Sequence, residues 1–125
     1  MVLGLSELDQ REPALQATQE ASEIYRQLAQ LRPDAFLPNL AMSLGTCSQV
    51  LAGMGRWADA ATSSREGLHV LMPCLERYPQ AFGALAGQLA RDHILRSKQA
   101  GQSPDMDLLA ALARILKPDD PEDAS

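Results

Sequence analysis

At 125 residues the chain has the length of one ordinary domain and is large enough to bury a core. Its residues are 46% hydrophobic but only 4% aromatic, so the core must be aliphatic; the near absence of alternating β-branched and aromatic runs argues against strands and for an all-α fold. A net charge of −5 argues against general nucleic-acid binding, which needs clustered Lys and Arg to neutralise phosphates.

Residues 1–8 carry Val2, Leu5 and Leu8 at helical spacing and are expected to form the last turns of a partial N-terminal helix. The stretch 12–31 opens with Pro13, tolerated early in a helix where its missing N–H costs nothing. It places Leu15, Thr18, Ala21, Ile24 (or Tyr25), Leu28 and Leu31 on one side. Arg32-Pro33-Asp34 breaks this helix, because the residue before proline is pushed out of the α region. A second long helix is expected over 35–54, with Pro38 in its first turn and Leu37, Leu40, Leu44, Cys47, Leu51 and Met54 on one face. Gly55 supplies its stop.

The third helix, expected over 56–78, begins with Trp57 and carries a small-residue stripe at Ala60, Ala61, Ser64 and Gly67, ending on Leu68, that lets two helix axes approach closely. Pro73 predicts a kink or break near 69–73. Pro79 punctuates as Pro33 did. A fourth helix follows over 80–99 with Phe82, Leu85, Ala86, Leu89, His93 and Ile94 as its apolar side. Ser103 is the expected N-cap of a short fifth helix over 105–116. The acidic, Pro-rich stretch 117–125 is expected to be a disordered tail after a helical domain spanning 1–116.

Sliding the chain against itself shows a repeat. RPDAF at 32–36 lies over YPQAF at 78–82, an offset of 46 residues (79 minus 33). At that offset Ala14 falls on Ala60, Ile24 on Val70, Gly55 on Gly101 and Asp59 on Asp105; Leu40 and Leu44 match Leu85 and Leu89 at 45, which suggests a one-residue deletion. A two-helix unit recurring at this period predicts an α-solenoid, in which each hairpin buries its apolar face only against its neighbours.

The stretch GRWADAATSSREGL at 55–68 resembles the turn and second helix of a tetratricopeptide repeat (TPR). Gly55 stands at the turn glycine, Trp57 at the aromatic, Ala60 at the small packing residue, and Gly67-Leu68 where that family has Ala-Leu; Ser43-Leu44-Gly45 resembles the Leu-Gly of the preceding helix. Both helices are longer than a 34-residue repeat allows. The elongated form, with EIYRQLAQLRPDAFLPNLAMSL at 23–44, is similar to long TPR-like repeats of multidomain bacterial signalling proteins, which often sit beside an NTPase or effector domain. On this registration residues 5–15 match the turn region, so the chain starts midway through a repeat. The resemblance implies a right-handed superhelix of antiparallel hairpins, about five helices plus the partial N-terminal one.

Searching for chemistry gives little. Cys47 and Cys74 have no metal-site spacing and read as buried thiols of a reducing compartment. His69 and His93 read as packing residues, Ser48, Ser63 and Ser64 have no triad context, and no HExxH or strand-borne glycine loop occurs. No enzyme, cofactor or metal is expected. No apolar run approaches the ~18 residues of a membrane span, and residues 1–8 lack a basic leader, so a cytoplasmic protein is expected.

The resemblance implies that the second and fourth helices line a concave, peptide-receiving surface. Opposite their packing stripes stand Asn39, Ser43, Thr46, Gln49, Gln80, Gln88, Arg91 and Arg96, whose amides and guanidinium groups suit the main chain or carboxylates of an extended protein or peptide partner. The expected function is protein–protein interaction. The alternative is a helical sensor or accessory domain that binds a small molecule and regulates a neighbouring catalytic domain; a cavity around His69, Cys74 and His93 would favour it. Exposed array ends also predict a homo-oligomer, formed through residues 2–8 or the last helix.

Overall fold

The computed structural model describes residues 3–117, with side chains from residue 10 onward. Among the described residues five helices follow one another: α1 (Leu3–Leu31), α2 (Pro33–Gly53), α3 (Trp57–Arg77), α4 (Pro79–Gln99) and α5 (Met106–Leu116). The first four pack each on the next along the chain, and α5 rests on α3 and α4. The result is an all-α helical repeat array, and among the described residues there is no strand. From residue 118 onward the expected acidic tail lies outside the described residues.

The repeat is written in the backbone. Among the described residues Gly55 and Gly101 are the positive-φ ones, at +77° and +71°, and both close a helix in the same way. Arg56 N–H reaches Leu51 O at 2.9 Å and Gly55 N–H reaches Ala52 O at 3.0 Å; Gln102 N–H reaches Ser97 O at 2.8 Å and Gly101 N–H reaches Lys98 O at 3.1 Å. This is the Schellman arrangement, which satisfies carbonyls the helix leaves open. The proline turns match as well. Arg32 (φ −141°) and Tyr78 (φ −134°) each precede a proline at the start of the next helix. Each also closes onto the helix before it, Arg32 N–H on Leu28 O at 2.9 Å and Tyr78 N–H on Cys74 O at 2.8 Å.

The 46-residue offset holds at both ends of the helices too, since α2 (Pro33–Gly53) and α4 (Pro79–Gln99) are each 21 residues long. In α2 Leu40, Leu44, Cys47 and Leu51 are buried; in α4 their counterparts Ala86, Ala90, His93 and Ser97 are. The expected one-residue deletion is therefore not present. Leu85 and Leu89 resemble Leu40 and Leu44 in identity but stand one residue before their counterparts Ala86 and Ala90; Leu89 is buried as Leu44 is, whereas Leu85 is half-buried where Leu40 is buried.

Four further expectations are corrected. The partial N-terminal helix and the turn expected over 5–15 do not form separately, because α1 runs unbroken through Pro13. Nor does Pro73 break α3. A proline removes the hydrogen bond to the carbonyl four residues earlier, which for Pro73 belongs to exposed His69, where water can take its place. Pro38, expected in a first turn, lies further into α2, and Asp34, whose carbonyl it orphans, is likewise an exposed residue. The N-cap of α5 is Asp105 rather than Ser103: its Oδ1 accepts Leu108 N–H at 3.0 Å.

Two apolar clusters form the core. One joins Leu15 of α1, Cys47, Leu51 and Ala52 of α2, and Ala60 of α3, with Trp57 packed on it as an inter-hairpin aromatic. The other centres on Leu68, Leu71 and Leu75 of α3 with Ala86 and Leu89 of α4, and is closed by Leu112 of α5. The small-residue stripe of α3 is buried throughout. A Cβ added at Gly67 would stand 3.2 Å from Ala41 O and 3.2 Å from Leu89 Cδ2, so that glycine sets how closely α2 and α4 approach α3.

Candidate functional site

The α2 and α4 helices, brought to the same side of the array by the repeat, leave an open groove of about 480 Å³ between them. Its floor is apolar and shallow. Gly45 contributes no side chain, and Leu89 packs against it so tightly that a Cβ there would meet Leu89 Cδ2 at 3.0 Å. Leu85 and Met42 extend this floor. The walls are polar: Thr46 and Gln49 on α2, Gln88 and Asp92 on α4.

Of the eight residues expected to meet a partner, Thr46, Gln49 and Gln88 come together here. The Thr46 hydroxyl donates to Met42 O at 3.1 Å, within its own helix. Neither Gln49 nor Gln88 makes a side-chain hydrogen bond to another described residue, so both amides keep their full donor and acceptor capacity. Asn39, Ser43 and again Thr46 line a second groove between α1 and α2, with Ala17, Ala21 and Tyr25. Ser43 is spent on packing, bonded to Ser22 Oγ at 2.8 Å and to Thr18 O at 3.3 Å. Gln80 and Arg91 are exposed, and Arg91 lies back along its own helix over Gly87. Arg96 is not available: its Nε donates to Asp92 at 3.1 Å and its guanidinium to Gln99 at 3.0 Å, with the side chain only 18% exposed.

Sequence reading missed Asp92 and Ser48. Ser48 is fully buried, and its single hydroxyl proton is shared between Ala60 O at 2.7 Å and Asp92 Oδ2 at 2.6 Å. With Arg96 on its other oxygen, Asp92 is fixed at the groove's end as part of a charge-compensated network joining α2, α3 and α4. An Asp four residues before an Arg on a helix was the available signal.

Comparison with protein families, curated proteins and solved structures found no match to this chain. The site must be read from its own geometry.

The residues singled out for a sensor role do different things. His69 is exposed. His93 is buried, and its protonation pattern follows from its partners. The Asp105 backbone N–H can only donate, and it donates to Nε2 at 2.9 Å; Nδ1 therefore carries the proton and donates to Ala61 O at 2.9 Å. Both ring nitrogens are committed. Cys74 lies in the apolar cluster, where burial pushes its thiol pKa up; nearby Asp34 adds to this and Arg77 opposes it. Such a thiol stays protonated and unreactive at neutral pH. Among the described residues no group of three His, Cys, Asp or Glu side chains could hold a metal ion, and no helix is long and apolar enough to cross a membrane.

Proposed function

We propose that this chain is a protein–protein interaction module whose α2/α4 groove receives an extended segment of a partner protein. The observation that carries the reading is the pair of uncommitted amides, Gln49 and Gln88, on opposite walls of an apolar floor made by Met42, Leu85 and Leu89. An extended peptide needs what such a groove offers: main-chain N–H and C=O groups to satisfy and alternate side chains to bury. A carboxamide both donates and accepts, so it serves a main chain in either direction.

The same reading makes the array a long TPR-like solenoid, cytoplasmic, and the terminal part of a larger bacterial signalling or regulatory protein. Its support is the 46-residue repeat with matching Schellman closures and proline turns and the small-residue stripe beginning at Ala60. It is a binding role without catalysis. A small-molecule sensor would draw on His69, Cys74 and His93, and these offer a ligand no free buried polar atom other than a protonated thiol.

Selection of displayed random peptides on the immobilised protein tests the proposal. Peptides enriched on the wild type should lose binding to a Gln49→Ala/Gln88→Ala variant and keep it with Gln80→Ala. Enrichment that the double variant leaves unchanged would refute the groove assignment.

A further inference from the structure

The array has a second face that its own repeat shows to be unfilled. Along α1 run Ala17, Ala21, Ile24, Leu28 and Leu31, spaced as one helical stripe. This is not the stripe that packs inside: among the described side chains of α1 the buried ones are Leu15, Ser22 and Ala29. Ile24 is 57% and Leu31 80% exposed. A helix this long with two apolar faces needs two partners, and α2 supplies one.

The repeat identifies what belongs on the other. Forty-six residues on (63 minus 17), the stripe maps to Ser63, Gly67, Val70, Cys74 and Arg77 of α3. There the face is covered. Ser63 Oγ donates to Leu44 O at 2.8 Å, Gly67 packs on Ala41 and Leu44, and Cys74 lies in the same cluster as Ala41. The covering helix is α2, which lies antiparallel to α3 and presents Leu37, Ala41, Leu44 and Ser48, at intervals of four, three and four residues. The missing element on α1 is therefore an antiparallel helix with an apolar stripe of that spacing.

We infer that this element is α1 of a second copy of the chain. The stripe Ala17, Ala21, Ile24, Leu28 has the same four-three-four intervals as the stripe of α2. It is also self-complementary. With two α1 helices antiparallel about Ile24, Ala17 falls opposite Leu31 and Ala21 within one residue of Leu28, small against large, and Ile24 meets its own copy. Such pairing is isologous and closes as a two-fold dimer rather than growing into a fibre. Tyr25 and exposed Met42, beside Ala17 and Ala21 in the α1/α2 groove, extend the contact onto α2. The surface shares Met42 with the floor of the α2/α4 groove but neither of the Gln49 and Gln88 walls, and Ile24→Glu leaves those walls untouched.

Sedimentation equilibrium of the full chain should show reversible association to twice 13.5 kDa. Ile24→Glu places a carboxylate at the two-fold axis and should raise the dissociation constant on the order of 100-fold, with helical content and urea midpoint of the monomer unchanged because Ile24 touches no buried cluster. Geometry has its own readout. Ile24→Cys should form a disulfide-linked dimer on oxidation, whereas Ala17→Cys and Leu31→Cys should cross-link only when mixed, since antiparallel pairing sets like positions roughly 20 Å apart. The buried native thiols stay out of this reaction. A wild type that remains monomeric at the highest attainable concentration, or a dimer indifferent to Ile24→Glu, would overturn the inference and leave the stripe to a helix of another protein.

Discussion

His93 Nε2 accepts the backbone N–H of Asp105 at 2.9 Å, so a side chain of α4 fixes the residue that caps α5. The ring's other nitrogen holds Ala61 of α3. One imidazole thus joins three helices, and the fifth is positioned by it as much as by Leu112.

His93→Phe should expose this role. Losing both bonds strands a backbone N–H, at a cost of about 1–3 kcal/mol. Urea denaturation should show that loss, and amide exchange of Leu108 and Leu109 should accelerate more than that of Leu71. His93→Gln, which can donate and accept, should lose less.

The glycines separate into two kinds. Gly67→Ala drives a Cβ to 3.2 Å from the Ala41 carbonyl, which is backbone and cannot swing aside; it should destabilise by about 1–3 kcal/mol. Gly87→Ala meets only the mobile head of Arg91 at 3.3 Å and should stabilise by about 0.5–1 kcal/mol through helix propensity. Opposite shifts in the thermal midpoint would confirm both.

Gly55→Ala and Gly101→Ala test the repeat itself. Both sites are open to a methyl group but sit at φ +77° and +71°, so each should cost about 1–2 kcal/mol from the left-handed backbone alone. Because the two motifs are alike and well separated in sequence, the costs in urea titration should be similar and close to additive.

Cys74 predicts alkaline sensitivity. The folded chain holds the thiol proton more tightly than the unfolded chain does, first through burial and then through Asp34. Its contribution is therefore intact below the ordinary thiol value of 9.0 and lost as pH rises above it. The urea midpoint of the wild type should fall more between pH 8 and pH 10 than that of Cys74→Ala.

Much of this was legible in the residues. Periodicity located the packing stripes of α2 and α3, and RPDAF over YPQAF set the period that the backbone closures keep. The rest was not legible for local reasons. Pro13 read as the opening of a helix and Pro73 as a kink or break, because sequence alone shows neither that α1 continues upstream of Pro13 nor that His69, whose carbonyl Pro73 orphans, is exposed. Leu85 and Leu89 copied the identity of Leu40 and Leu44 from one position earlier in the helix. Thr46, Gln49 and Gln88 were legible as polar-face residues, and the four-residue spacing of Asp92 and Arg96 was the one signal that Arg96 turns onto its own helix; that buried Ser48 of α2 joins the pair was not legible.

What the sequence determined by itself is the set of helices, their period and their stops, because apolar spacing, left-handed glycines and proline turns are properties of neighbours along the chain. Only tertiary structure decided which of two apolar stripes on α1 faces inward, which amides stay uncommitted, and which nitrogen of His93 carries its proton. Those depend on groups from other helices arriving at a few ångströms, and hydrogen bonding and close packing are settled at that distance.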